Sequence, residues 1–335
     1  MDPRQALERL LARRSLDRPQ TEELFGRLMD GDLGDVHKTA LLVALRMKGE
    51  TAPEIAGAAA AMRRRVLAIP HSRPAVVDTC GTGGDGRGTF NVSTAAALVA
   101  AAGGVAIAKH GNRSVSSRCG SADVLAALGV TVEVSPEDAG RALDAIGLAF
   151  LFAPRLHPAM AQVMPVRREL GVRTIFNVLG PLTNPAGARR QLLGVYAPEL
   201  VEVLAQVLVE LGSEHALVVH GDGLDEITTT GSTRVAEVKD GGVEVYEVEP
   251  ERFGLRRAAA GELAGGDPEH NAELLRGVLA GRSGALSDIT AVNAGAALYV
   301  GGAAPSLEAG VETAQELLAT GAAAAKLEEL RTFHD

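Results

Sequence analysis

The 335-residue sequence predicts an α/β fold, with a small all-α domain packed against a larger α/β domain that has a mostly parallel central sheet. Three observations predict it. The first seventy residues contain no convincing strand. From Ala75 onward, short apolar runs alternate with helical segments of about ten residues. Between His157 and Pro185 that alternation lapses into a helix and a loop rich in Gly, Pro and Asn, and then resumes. The division expected is 1–70, completed by part of 157–185, against 71–156 and 186–335.

In the opening segment, Leu7, Leu10 and Leu11, then Leu24, Phe25, Leu28 and Met29, recur at helical spacing. Asp35 is placed to cap a third helix running through Leu45. Thr51 and Glu54 form a capping box for a fourth, with Pro53 in its first turn. AVVD (75–78), bounded by turn signals, reads as a buried strand, and a helix from about Ser93 to Ala102 follows a glycine-rich run. VAIA (105–108) and TVEV (131–134) read as strands, with a helix over SADVLAALG (121–129) between them. Ser135-Pro136-Glu137 opens another helix, and LAFLFA (148–153) is again a strand. PAMAQVMPVRREL (158–170) reads as helix. The sheet resumes with LLGVYA (192–197), a helix from Pro198, and HALVVHG (215–221). RVAEV and VEVYEV flank Asp240-Gly241-Gly242 as a hairpin, and the tail from Pro268 is helical.

Composition excludes several classes of function. The net charge is −9, aromatics are 3% and tryptophan is absent, the reverse of what a nucleic-acid binder needs. Lysine is scarce, five against 28 arginines. No apolar run is long enough to span a bilayer; the longest, Thr94 to Ala108, carries Gly103-Gly104 in its middle. MDPRQALERLLARR lacks the apolar core of a signal peptide. Cys80 and Cys119 cannot build a disulfide framework, and both read as small buried hydrophobes in a reducing compartment. The expectation is a cytoplasmic protein.

Residues 78–97, DTCGTGGDGRGTFNVSTAAA, hold five glycines between Gly81 and Gly88. An ordered glycine loses more conformational freedom than any other residue, so five in one turn need a reason. One reason is the approach of backbone N–H groups to a large anion. Gly81, Gly83 and Gly86 match GxGxxG after a strand, but a dinucleotide site also needs an acid at the end of the following strand. This chain has Lys109 and His110 there, and no Gly-Lys-Ser/Thr closes a Walker loop. What remains is a phosphate-cradling loop of another kind, or a merely structural turn. KHGNRSVSSRCGS (109–121) adds a local positive island, rich in donors, at a strand end. In GDGLDEITTTG (221–231), Asp225 and Glu226 are adjacent with no basic residue near them in the sequence, which suits either Mg²⁺ or an exposed acidic turn. Arg167 and Arg168 lie on the predicted helix of the interrupting segment, where one could grip a carboxylate with two parallel hydrogen bonds.

These pieces together resemble the anthranilate phosphoribosyltransferases of tryptophan biosynthesis. The resemblance is carried by MDGDLGDVHKTALLVALRMKGET, DTCGTGGDGRGTFNVST, KHGNRSVSS, HPAMAQVMPVRRELGVRTIFNVLGPLTNP and GDGLDE, in the family's order and over nearly the whole chain. It implies that Gly81, Gly84, Asp85, Thr89, Asn91, Val92, Ser93 and Thr94 line a phosphoribosyl pyrophosphate site. Lys109, His110, Gly111, Asn112, Arg113, Ser114, Val115, Ser116, Ser117 and Ser121 would complete it. Gly81, Asn112 and Arg167 would meet anthranilate, and Ser93, Asp225 and Glu226 would serve Mg²⁺. The resemblance also implies a homodimer through the small domain.

The chemistry agrees with that implication. Breaking the C1–O bond of a ribosyl diphosphate builds positive charge on the sugar and negative charge on the departing group, which is helped most by stabilising the latter. The aromatic amine is already neutral near pH 7, so no strong base is demanded and positioning carries much of the remainder. No nucleophile is named. His110 either orients the amine and takes its proton late, or is a hydrogen-bonded structural histidine. The competing readings are a pyrimidine nucleoside phosphorylase, similar in fold but handling free phosphate, and an inactive homologue that binds nucleic acid.

Overall fold

The computed structural model describes residues 1–114 and 118–334. Four helices open the chain: α1 (Pro3–Leu11), α2 (Arg18–Asp30), α3 (Asp35–Lys48) and α4 (Ala52–Arg63). The alternating region contains β1 (Val77–Gly81), α5 (Val92–Ala102), β2 (Ile107–Gly111), α6 (Ser121–Ala127), α7 (Pro136–Ile146) and β3 (Leu148–Phe152). Short helices α8 (Ala153–Leu156), α9 (Met164–Leu170) and α10 (Phe176–Leu179) occupy the interruption. The sheet resumes with β4 (Arg190–Gly194), α11 (Leu200–Glu210), β5 (His215–Gly221), β6 (Thr233–Lys239) and β7 (Gly242–Val248). Four helices close the chain: α12 (Pro268–Leu279), α13 (Ala285–Gly301), α14 (Leu307–Ala319) and α15 (Ala322–Thr332).

One sheet holds all seven strands in the order β3-β2-β1-β4-β5-β6-β7. β1 to β5 are parallel, and β6 and β7 complete the edge antiparallel. Chain order reverses at β1, which lies between β2 and β4. Such a reversal leaves a crevice beyond the carboxyl ends of the parallel strands. The glycine run leaves β1 at that edge, KHGN ends β2 there, and the Asp225 loop follows β5.

Period-two alternation along the strands feeds both faces. Ile107, Leu192, Leu217 and Val219 point into a core with α5 and the C-terminal helices. Leu193, Ala216, Val218 and Ala236 point the other way, into a core shared with α11, the opening helices and residues 163–182. Polar contacts reinforce that second core. Arg18 Nη1 donates to the carbonyl of Glu210, and Arg63 Nε to that of Leu182, each at 2.7 Å. The first satisfies a carbonyl that the end of α11 leaves without a helical partner. Burial, with Arg18 nearby, pushes Arg63 down to about 10. Lys38 Nζ donates to the carbonyl of Gln162 at 2.8 Å, and the rings of Phe25 and Phe176 lie 5.8 Å apart. The segment that interrupts the sheet is therefore fastened to the opening helices.

The structure departs from the sequence expectations in a few places. TVEV (131–134) is not a strand: β2 pairs directly with β3. Val130 and Val132 are buried, so the alternation there reports one-sided packing with no sheet partner. The helix expected over 158–170 is split into a 3₁₀ turn, Pro158–Gln162, and α9. Pro165 explains the break, because proline is tolerated only in a helix's first turn. Gly34, not Asp35, is the N-cap of α3, and Asp35 puts its charge at the positive end of the helix. β1 and β2 each start two residues later than the apolar runs suggest. The capping box and the hairpin appear where expected: Thr51 and Glu54 cap α4, and Asp240-Gly241 turns between β6 and β7 with both φ positive.

The hairpin is anchored at Glu237 on β6, whose carboxylate accepts from His215 Nε2 (2.8 Å), Tyr299 Oη (2.8 Å) and Tyr246 Oη (2.9 Å). Burial raises this carboxyl, but the three hydrogen bonds outweigh it and hold the group at about 2, from an ordinary 4.5. A depressed pKa contributes stability above the unfolded value, and that stability is lost as pH falls through the folded one. Glu237→Gln is expected to remove about 1–2 kcal/mol at neutral pH, after allowance for solvent screening. It should also flatten the fall in stability between pH 4.5 and 2. Denaturant titrations of both proteins across that range check this; curves that stay parallel would mean the network contributes nothing.

Candidate active site

The site is built where β1, β2, β4 and β5 end. Gly81 and Gly194 are paired neighbours at the exits of β1 and β4. The Asp225 loop crosses directly over them. A Cβ on Gly81 would overlap the Asp225 carboxylate, and one on Gly194 would overlap the Asp225 carbonyl. Gly81 thus belongs to the strand, and close approach is what requires it to be glycine. Beyond it, Gly83, Gly84, Gly86 and Gly88 all have positive φ, between 65° and 80°, conformations that side-chain-bearing residues rarely adopt. The N–H of Gly83 donates to Asp225 Oδ2 at 2.8 Å.

Lys109, near the end of β2, is only 3% exposed. Its Nζ donates to the Thr79 carbonyl at 2.5 Å and to Ser93 Oγ at 3.2 Å. It is also the basic partner that the sequence around Asp225 and Glu226 does not show. Burial lowers the lysine, while Asp78, Glu226 and Asp225 act against that. Burial pushes Asp225 up to about 7, with Asp85 beside it adding to the rise. Glu226 is pushed well above the usual carboxylate range, by burial first and by Asp225 second, with Lys109 opposing. Several acids thus crowd one buried ammonium. Among the described residues, no three carboxylate, imidazole or thiolate groups are placed to hold a metal ion by themselves.

His110 follows Lys109. Its backbone N–H donates to Asp78 Oδ1 at 3.1 Å, and its Nε2 lies 3.0 Å from His157 Nε2. Burial lowers His110 to about 3, helped by His157, and lowers His157 to about 4. Both rings are neutral near pH 7, and their facing nitrogens are committed to each other. The contact between the two imidazoles is the kind of hydrogen bond that the structural role expected for His110 would use.

Arg167, on α9, is half-buried with its guanidinium 5.6 Å from the Phe176 ring centroid, and burial lowers its pKa. No carboxylate of the described residues pairs with it. Arg168 is exposed. Asn91 spends its side chain on structure: Nδ2 donates to the Cys119 carbonyl at 3.3 Å, and Oδ1 accepts from Asn271 Nδ2 at 2.9 Å. Thr89 bridges to Ala264. Val92 and Thr94 are buried on α5, the Thr94 hydroxyl without a partner. Gly111 ends β2 against Ser121, whose hydroxyl donates to the Asn112 carbonyl at 3.3 Å. Arg113 reaches Asp123 and Glu133, and the Ser114 N–H donates to Asp123 Oδ2 at 2.9 Å. Val115, Ser116 and Ser117 lie outside the described residues.

Four residues of this edge escape sequence reasoning. Asp78 is fully buried and raised to about 6 by burial, against the opposing hydrogen bonds of Asn184 and the His110 N–H. His157 meets His110 from the far end of a different segment. Arg173 donates to the Gly84 carbonyl and lies 4.0 Å over the ring of Tyr196. For Asp78, an acid at the end of an apolar run in the sequence was a usable signal. For the other three, the partners are too distant in the sequence to leave one.

Comparison with known proteins agrees with this geometry. Residues 4–66 match the glycosyl transferase family helical bundle domain, and residues 73–324 match the glycosyl transferase family a/b domain. The chain is 55% identical over 326 residues to an anthranilate phosphoribosyltransferase of Anaeromyxobacter sp. (strain Fw109-5), covering 97% of each. It superimposes on the crystal structure of the Thermus thermophilus anthranilate phosphoribosyltransferase with a TM-score of 0.93, at 49% identity and 98% coverage of each. The Saccharomyces cerevisiae enzyme in complex with PRPP and Mg matches with a TM-score of 0.89, at 29% identity and 99% and 97% coverage. The chain is a member of the anthranilate phosphoribosyltransferase family, enzymes that transfer a phosphoribosyl group to anthranilate.

Proposed function

We propose that the carboxyl edge of the sheet carries out the family's transfer, with the left-handed glycine loop cradling the diphosphate of phosphoribosyl pyrophosphate and Arg167 gripping the carboxylate of anthranilate. The observation that carries this is a run of left-handed glycines at a strand end together with a half-buried guanidinium that no carboxylate of the described residues pairs with. A partly desolvated arginine is stabilised when a ligand supplies an anion. Asn112 and Gly81 stand at the same edge and complete the anthranilate side. The domain division proposed is 1–70 with part of 157–185, against 71–156 and 186–335, and the second core is shared across that boundary.

Asp225 and Glu226, with Ser93 and Asp85 beside them, would hold Mg²⁺. They fit it because crowded acids repel one another and the protein offers too few ligands for a closed cage, whereas Mg²⁺ takes few protein groups and completes its shell with water and phosphate. When bound, the ion would neutralise charge gathering on the departing diphosphate. Lys109 holds Ser93 and the end of β1 in register, and its buried charge favours negative charge developing nearby. His110, paired with His157, positions the end of β2. The neutral amine attacks C1 as the C1–O bond breaks, and its proton is lost to water or to diphosphate.

The opening helices carry an exposed apolar face. Leu11, Val36 and Met47 are 69%, 81% and 72% exposed, beside a groove of about 700 Å³ that Leu7, Val43 and Leu170 also line. Exposure of that order marks a contact surface, and the occupant proposed is a second copy of this chain. Among the described residues, no helix is long and apolar enough to cross a membrane.

Two outcomes test these readings. In a fluorescence assay of anthranilate consumption with phosphoribosyl pyrophosphate and Mg²⁺, Arg167→Ala should raise KM for anthranilate about ten- to a hundredfold, the worth of a charge-assisted hydrogen bond. KM for the other substrate should move little, and Arg168→Ala should be mild. Equal rises in both constants would make Arg167 a structural residue. In sedimentation velocity the wild-type chain should run as a dimer and Val36→Glu/Met47→Glu as a folded monomer; a dimer in both would place the interface elsewhere.

A further inference from the structure

The segment between α9 and α10 is a closed loop. Arg167 opens it and Phe176 ends it, with the guanidinium of the first 5.6 Å from the ring centroid of the second. Thr174, Ile175 and Phe176 are buried, and the Thr174 N–H donates to Asn177 Oδ1 at 3.0 Å. The loop therefore moves, if it moves, as one piece. Arg173 stands on its outer side. It reaches the glycine loop, where Nη2 donates to the Gly84 carbonyl, and its guanidinium carbon lies over the Tyr196 ring, 4.0 Å from the centroid. Tyr196 is itself fixed to the base of the glycine loop: its N–H donates to Thr82 Oγ1 at 3.0 Å, and the Thr82 N–H donates to the Gly194 carbonyl at 2.9 Å.

The consequence follows from peptide geometry. In a trans peptide the C=O and N–H point in opposite directions. Holding the Gly84 carbonyl on Arg173 turns the N–H of Asp85 the other way and fixes one peptide of a loop that four left-handed glycines otherwise leave adaptable. Arginine suits the task, because its planar group can stack on a ring and donate in plane at once, which lysine cannot do. The same side chain sits six residues from Arg167, inside the loop that Arg167 closes.

We propose that Arg173, stacked on Tyr196, is a positioning residue that couples the two substrate sites: it ties the Gly84 peptide of the diphosphate loop to the segment that presents Arg167. This rests on the reading of the glycine loop and Arg167 as the two binding groups. An anion that orders the glycine loop then also orders the Arg167 loop, so the second ligand meets a site with less freedom left to lose. Neither Arg173 nor Tyr196 needs to touch anthranilate. By linkage, the effect is the same whichever ligand binds first.

The experiment is a fluorescence titration of anthranilate into the full-length enzyme, with and without Mg²⁺ and inorganic diphosphate, which fills the loop without turnover. Wild type should bind anthranilate on the order of tenfold more tightly with Mg²⁺-diphosphate present. In Arg173→Gln and in Tyr196→Leu that ratio should fall by about three- to tenfold, the worth of a stacked cation, while affinity without diphosphate changes little. Tyr196→Phe keeps the ring and should keep the ratio. Melting temperatures are measured alongside. Variants that melt lower but keep the wild-type ratio would overturn the inference, as would a wild-type ratio of one. Wild-type turnover in the same preparation separates the two levels. If it is absent, the underlying reading of the site fails; if it is present with an unchanged ratio in Arg173→Gln, only the coupling fails.

Discussion

The arrangement depends on one buried ammonium. Lys109 has almost no contact with water, so its charge is tolerable only because its surroundings answer it. Its hydrogen bonds go to the carbonyl of Thr79 on β1 and the hydroxyl of Ser93 on α5, and its field reaches Asp78, Glu226 and Asp225. Three segments that carry the chemistry are thereby held about one point. The acids in turn outnumber the lysine. Such a cluster is unfavourable by itself, and a Mg²⁺ ion arriving with the diphosphate, as proposed above, would bring the positive charge it lacks.

Topology makes that convergence possible. Because the strand order reverses at β1, loops far apart in the chain leave the sheet at neighbouring points. Glycine then lets them touch. At Gly81 and Gly194 the absence of a Cβ admits the Asp225 loop onto the strand ends, and at Gly83 and Gly84 positive φ turns the chain back across it. The helices contribute at one remove. Lys38 and the Phe25–Phe176 contact hold the interrupting segment, and with it Arg167, to the opening bundle, so the arginine is presented from outside the sheet.

Much of this was legible in the sequence, for physical reasons that differ from residue to residue. The glycine run and KHGN could be placed because strand ends in a parallel sheet are where ligands bind, and because five glycines so close together have few other uses. Capping boxes and the Asp-Gly hairpin are local, and local chemistry is visible. TVEV failed because alternation encodes which side is buried and says nothing about a pairing partner. The partnership of Lys109 with Glu226 could not be seen, since the two lie far apart in the chain and only the sheet order joins them. The same holds for His110 with His157, and for Arg173, whose partners are a backbone carbonyl and the face of a ring.

We infer that the metal of a bound metal diphosphate relieves the crowded acids around Lys109. The most direct measurement is the number of protons released when phosphoribosyl pyrophosphate binds in the presence of Mg²⁺ at pH 7, by calorimetry in buffers of different ionisation enthalpy. Burial and the neighbouring Asp85 raise Asp225 toward neutral pH, so it carries a proton in part of the free enzyme and must lose it to face the metal. Wild type should therefore release more protons than Asp225→Asn, since protons belonging to the diphosphate itself are common to both. Equal proton release by the two proteins would contradict the claim.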